Sequence, residues 1–168
     1  MTLTTHSIIA VAVTKPIAAT NPLLIFVVAI ASHYLADALP HWDYTVRTTS
    51  YTDNEGKEHW NALRAQNFRA RVRSDIGNFA MDGFLGAAIT LALVHPVSGG
   101  QWLWATASLI GGALPDFLQG LYLSGLTILK PAQRFHDALH TKIKLGHYPL
   151  IGIPFQLAIL LIAAWTLI

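Results

Sequence analysis

The chain has 168 residues, of which 53% are hydrophobic and only 12% charged, with a mean hydropathy of +0.44; soluble domains carry about 25% charged residues, so this is a membrane-protein composition. The length suits one domain over residues 1–168, without room for two independent cores. Cysteine is absent, which excludes disulfides and thiolate metal sites and leaves imidazole and carboxylate as ligands, while the formal charge of +2 matters less than its distribution.

The opening residues MTLTTHS lack the basic start of a cleavable leader, and Lys15-Pro16 interrupts the apolar run behind them, so the N-terminus is expected to be retained. Apolar segments follow at about 7–20, 22–39, 76–95, 101–118 and 148–168, each near the ~20 residues that cross a ~30 Å hydrocarbon core. The first is the weakest, because Pro16 invites unwinding. Asn21-Pro22 closes a first hairpin over about 5–43, and His95-Pro96 with Gly99-Gly100 closes a second over about 76–118. The two match in length and pattern: His6 stands 34 residues before Pro40, Asp82 stands 33 before Pro115, and both units end in Ala-Leu-Pro followed by His41 or Asp116. This is the pattern of an internally duplicated helical hairpin.

Between the hairpins, residues 44–75 are polar and cytoplasmic in this reading, with Ser74 and Asp75 as candidate N-caps for the next helix. Arg64, Arg69, Arg71 and Arg73 alternate there with Trp60, Leu63 and Phe68, as in a segment lying against anionic phospholipid headgroups or in an ordinary solvated loop; nucleic acid is not an expected partner. Pro131 and Gly146 bound an interfacial helix at about 131–145, with Phe135, Leu139 and Ile143 forming an apolar stripe beside His136 and His140. A last span covers 148–168. The predicted fold is all-α: a polytopic membrane bundle of about five spans with short interfacial helices. Apart from Lys15, the basic residues fall on the side where both hairpins begin and end, which makes that side, and the N-terminus, cytoplasmic.

The chemistry gathers on that same side. His33 and Asp37 are spaced i, i+4 on one helix face within an apolar segment, as expected either for two ligands of one cation or for an ion pair pinning helices. His41 and Asp43 follow Pro40, where the chain can turn back; Asp116 takes the place of His41 in the second hairpin, where Ser108 and Gly112 replace His33 and Asp37. His6 and Asp82 stand at matching helix starts, as ligands or, respectively, as a frayed-end residue and a dipole partner. His136 and His140 form another i, i+4 pair, with Asp137 or Asp43 available as a base. The candidate ligands are therefore His6, His33, Asp37, His41, Asp82, Asp116, His136 and His140. They outnumber the needs of one tetrahedral ion, so one or two divalent ions are expected, zinc first, with manganese or iron also compatible with nitrogen and oxygen ligands. His59, His95 and His147 stand apart from this group.

Several of these motifs resemble those of the bacterial membrane-bound metal-dependent hydrolases, the YdjM-like inner-membrane proteins: Thr5-His6, Ser32-His33 with Asp37, Leu114-Pro115-Asp116, and FHDALH at 135–140. The Ser-His element precedes the Leu-Pro-Asp element here, and FHDALHT is the sole counterpart of an HRG-x-THS segment, so the resemblance implies a divergent subgroup. It implies a multi-pass protein of the bacterial inner membrane that hydrolyses a lipid or phosphoester at the cytoplasmic interface. A divalent-metal carrier or sensor, or a non-catalytic membrane scaffold, are the rival expectations.

Overall fold

A computed structural model describes residues 1–44, 50–52, 58–60, 68–143 and 145–168. Six α-helices account for nearly all of the described structure: α1 (Leu3–Thr14), α2 (Pro22–Asp37), α3 (Phe68–Val94), α4 (Gly99–Leu123), α5 (Lys130–Leu139) and α6 (Pro149–Trp165). The exception is a two-stranded antiparallel ribbon pairing Ser50–Thr52 with Glu58–Trp60.

Local chemistry sets the boundaries. Thr2 caps α1 through its hydroxyl, and Lys15–Ile17 tightens into a 3-10 turn at Pro16. Asn21 caps α2, accepting from the Leu23 N–H at 2.8 Å with Pro22 in the first turn. His95 ends α3 with φ 49°, a left-handed backbone ahead of Pro96. At α4 the Ser98 hydroxyl accepts from Gln101 N–H, and the Gln101 side chain accepts in return from Ser98 N–H, a reciprocal capping box.

Three boundaries differ from the sequence expectation. The third helix begins at Phe68, so Ser74 and Asp75 lie inside it rather than capping it. The two Ala-Leu-Pro segments also part company: α2 stops at Asp37, before Pro40, whereas α4 continues to Leu123 with Pro115 in its interior. Finally, α5 ends at Leu139, short of Ile143. Hydrogen bonding explains the second case. Pro115 removes the donor that the Gly111 carbonyl would take, but capping and packing elsewhere along 25 residues carry the helix past it.

Helix α1 is the centre of the bundle, packed against α2, α3, α4 and α6, while α2 lies along α4 and α5 closes over α2 and α4. Glycines make the close approaches possible. A Cβ at Gly112 would lie 2.6 Å from the Ala10 Cβ, one at Gly111 2.7 Å from the Phe26 carbonyl oxygen, and one at Gly86 2.7 Å from the Thr4 Cα. The interior is divided by depth. Ile8, Val11, Ile25, Trp104 and Leu167 form an apolar cluster that draws on the starts of α2 and α4. His6, His33, Asp37, His41 and His136 are buried where α1 begins and α2 ends.

The exterior is strongly apolar, with Leu23, Met81, Phe84, Leu150, Leu161 and Ile162 all exposed. Among the described residues one helical stretch, Arg73–Val94, is long and apolar enough to cross a membrane; α2 and α6 are apolar but shorter, at 16 and 17 residues. Five full-length spans are therefore not what the described helices give: Pro16 stops α1 after 12 residues, α2 and α6 are short, and α4, though 25 residues long, is not apolar enough to count.

Candidate metal centre

Asp37 is the hub. Its carboxylate is 1% exposed and meets imidazole nitrogens on both oxygens: Oδ2 lies 3.2 Å from His33 Nε2 and 3.1 Å from His136 Nε2, while Oδ1 lies 3.0 Å from His6 Nε2 and 3.8 Å from His41 Nε2. Each partner arrives from a different part of the fold. His33 stands one turn before Asp37 on α2, His6 comes from the first turns of α1, His136 from α5, and His41 from the chain just past Pro40. Asp116 reaches in from α4, its Oδ1 3.6 Å from His33 Nε2.

Two groups have ligand atoms close enough to share a cation. His33, Asp37, Asp116 and His136 form one, and Asp37, His41 and His140 the other; within each group the atoms lie within 4.8 Å of one another. Nitrogen and oxygen ligands sit about 2.0–2.2 Å from zinc, so the side chains of either group would have to draw together to close on an ion. Asp37 belongs to both.

The imidazole orientations favour a cation over a simple ion pair. His33 Nδ1 is 2.8 Å from the Gly112 carbonyl, His41 Nδ1 is 2.7 Å from the Leu39 carbonyl, and His140 Nδ1 is 3.3 Å from the Thr141 carbonyl. A carbonyl only accepts, so each Nδ1 carries the proton; at His33 and His140 a neutral ring then presents the Nε2 lone pair, whereas the 2.9 Å contact of His41 Nε2 with Asp43 Oδ2 needs a second proton unless a cation takes its place. Those lone pairs converge on carboxylate oxygens, an arrangement that a bound cation satisfies and that otherwise requires extra buried protons. Protonating all the rings around one carboxylate would bury several like charges, each at a cost of several kcal/mol. Side-chain nitrogens without a hydrogen-bond partner sit there too: His6 Nδ1 and Nε2, His33 Nε2 and His136 Nδ1. At 3.0 Å His6 Nε2 is near Asp37 Oδ1 without hydrogen-bond alignment, and its ring stacks on His33 with centroids 3.9 Å apart. Buried His and Asp groups that can hold a metal ion are thus present.

Around this centre the Met1 amino group donates to Asp37 Oδ1 at 3.0 Å and lies 2.8 Å from Asp43 Oδ1, placing a positive charge between two carboxylates. Asp43 is 42% exposed at its side chain and contacts His41 Nε2 at 2.9 Å. Burial alone would raise its carboxyl, but the His41 hydrogen bond and the Met1 ammonium outweigh that and hold it well below the usual range. Burial lowers His140 and so favours its neutral, ligating form. Tyr44 is raised, by burial first and then by Asp82, Asp116 and Asp43, and keeps its phenol proton.

Two expected residues fall elsewhere. Asp82 anchors the start of α1 instead of joining the cluster: its oxygens accept from Leu3 N–H at 2.6 Å, Thr4 N–H at 3.1 Å and the Thr4 hydroxyl at 2.6 Å. Its carboxylate is already committed to a neighbouring helix's unpaired N–H groups, the dipole-partner alternative carried out across helices. Asp137 is exposed and accepts from Gln133 at 2.8 Å, because on α5 it points away from the face that carries His136. Arg64 and the side chains of Arg69 and Arg71 lie outside the described residues; Arg73 is exposed.

Sequence reasoning missed the backbone carbonyls of Gly112, Leu39 and Thr141 that orient the rings. Their only trace in the sequence is the Gly-Gly before Pro115 and the Pro after Leu39. It also missed Tyr44, which no motif marks. Comparison of the chain with known protein families, curated proteins and solved structures finds no match, so the functional reading rests on the geometry.

Proposed function

We infer that the chain is a membrane-embedded, metal-dependent hydrolase that acts on a lipid or phosphoester at the cytoplasmic face of a bacterial inner membrane. The observation that carries this reading is the convergence of His33, His41 and His140 on Asp37 and its neighbours, each ring with Nδ1 anchored to a backbone carbonyl. That is how ligating imidazoles are oriented in metal sites. His33, Asp37, Asp116 and His136 would hold one ion, and Asp37, His41 and His140 a second, with zinc the first choice for this nitrogen and oxygen set. Bound there, the metal lowers the pKa of water and stabilises charge on the substrate's oxygens. Asp43, half-exposed between His41 and the Met1 ammonium, would stay ionised and orient the attacking water by accepting a hydrogen bond from it, the proton leaving to solvent. Tyr44 remains a donor beside the carboxylates.

The apolar exterior and the Arg73–Val94 stretch support the membrane setting, and Lys130, Arg134 and Lys142 near the site end support a cytoplasmic orientation. Hairpin duplication belongs to the same proposal: α1 lies against α3 as α2 lies against α4, the order in which the matching segments pair.

Elemental analysis of the purified protein, with turnover assays on a panel of phospholipids and alkyl phosphodiesters, tests the reading. We expect one to two divalent ions per chain and turnover that a chelator abolishes and the metal restores. A protein that purifies without metal and fails to take it up at micromolar concentration, or turnover indifferent to chelation, overturns it.

A further inference from the structure

Beside the centre, a cavity of ≈430 Å3 opens between α3 and α4, lined by Leu3, Ile76, Phe79, Phe117, Gly120 and Leu121 among others. This is within the ~300–1,000 Å3 of small-molecule sites. Its walls are apolar with few polar groups, and one of these is Asp116, whose Oδ1 lies 3.6 Å from His33 Nε2. One carboxylate thus belongs both to the wall of the cavity and to the ligand group. From Asp116 the cavity follows one face of α4 through Gly120 to Ser124, two helical turns or about 12 Å. Edge-on packing of Tyr44 against Phe79, with centroids 5.8 Å apart, steadies the opposite wall.

We propose that this cavity holds the hydrocarbon part of the substrate, so that the substrate class is a single-chain amphiphile whose ester or phosphoester lies at Asp116. The proposal rests on the metal-hydrolase reading above and adds to it the means of choosing the substrate. Apart from Asp75, Asp116 and Ser124 the lining is apolar, which leaves too few polar groups to hold a free sugar or nucleotide and rewards each buried methylene by ~0.8 kcal/mol. Gly120 is the position that keeps the space open, since a Cβ built there meets nothing within 4 Å. A larger side chain at 120 therefore starts from open space in the cavity wall.

Gly120→Phe, with Ile76→Trp as a second block from the exposed side of α3, provides the test in the full-length protein in detergent. Turnover is compared for a short, water-soluble aryl phosphodiester or ester and for its long-chain alkyl counterparts. Metal content is measured on the same samples. A long-chain substrate with a photoreactive group in its tail is cross-linked, and the labelled residues are mapped. We expect kcat/KM in the wild type to rise at least tenfold from short to long chain, and the variants to lose that rise while keeping metal and short-chain turnover. Label should fall on Phe79, Phe117 and Leu121 and drop at least fivefold in both variants, with background labelling at Ile159 on α6 unchanged. Metal and short-chain turnover without chain-length preference, or labelling equal in wild type and variants, overturns the cavity assignment alone. Absence of metal and of all turnover in the wild type overturns the hydrolase reading, and this inference with it.

Discussion

A single carboxylate, Asp37, faces His33 and His136 on one oxygen and His6 and His41 on the other. Replacing it by Asn keeps the shape but removes the charge and turns one ligand atom into a donor. Asp37→Asn is therefore expected to lower bound metal below a tenth of the wild-type content by elemental analysis, whereas Asp137→Asn, on the exposed side of α5, leaves it unchanged. Asp82 gives the opposite pattern. It holds the Leu3 and Thr4 N–H groups and the Thr4 hydroxyl, so Asp82→Ala leaves these partly buried donors without their acceptor, at about 1 kcal/mol or more. Thermal melts should show that loss while the metal content of the folded protein stays intact. The difference between these two acids was hidden in the sequence. Asp37 shares a helix face with His33, and i, i+4 spacing makes that partnership visible; Asp82 finds its partners 78 and 79 residues away, where no spacing rule reaches.

At the scale of the helix, α4 carries glycines of two kinds. Gly112 sits where a Cβ would lie 2.6 Å from Ala10, and its carbonyl receives His33 Nδ1; Gly120 faces open space. Gly112→Ala is expected to destabilise the protein by about 1–3 kcal/mol through overpacking and to weaken metal binding severalfold, since the helix that offers the carbonyl must move. Gly120→Ala is expected to be neutral or to stabilise by up to about 1 kcal/mol, as Ala is the better helix former. Chemical denaturation of the two variants, with metal titration of each, separates the cases. An equal response would remove the reason for treating them differently. The hairpin closures were legible in Asn21-Pro22 and in the Pro-Val-Ser-Gly-Gly run, because those signals act locally, whereas the cap candidates Ser74 and Asp75 fall inside α3. Pro115 misled for the converse reason: its effect on the ladder is local, but 25 residues of packing decide whether the helix survives it. The ring-orienting carbonyls were illegible altogether, since every residue has one and only tertiary placement selects those of Gly112, Leu39 and Thr141.

At the scale of the whole molecule, polar groups lie inside at one end and large apolar side chains face outward, so a bound cation would tie the helices together where apolar burial does little. The residues converging on Asp37 come from α1, α2 and α5, with Asp116 from α4. Taking metal away leaves several imidazoles and two carboxylates in one buried volume, and the protein must then add protons or let the helices separate. Ligand linkage gives the size of the effect: an ion present at about 100 times its Kd stabilises by about 2.7 kcal/mol. Chelation is accordingly expected to lower the Tm by several degrees, with readdition of zinc restoring it and magnesium, which prefers an octahedral oxygen shell, failing to do so. Amide exchange should show where the change falls. Protection ought to drop at the start of α1, the end of α2 and along α5, and to persist around Ile8, Val11, Ile25 and Trp104, whose apolar contacts do not depend on the ion. A uniform loss across both ends would mean that the cluster is not a local clasp but part of one cooperative core, and no change on chelation would mean that Asp37 and its imidazoles hold together by proton sharing alone.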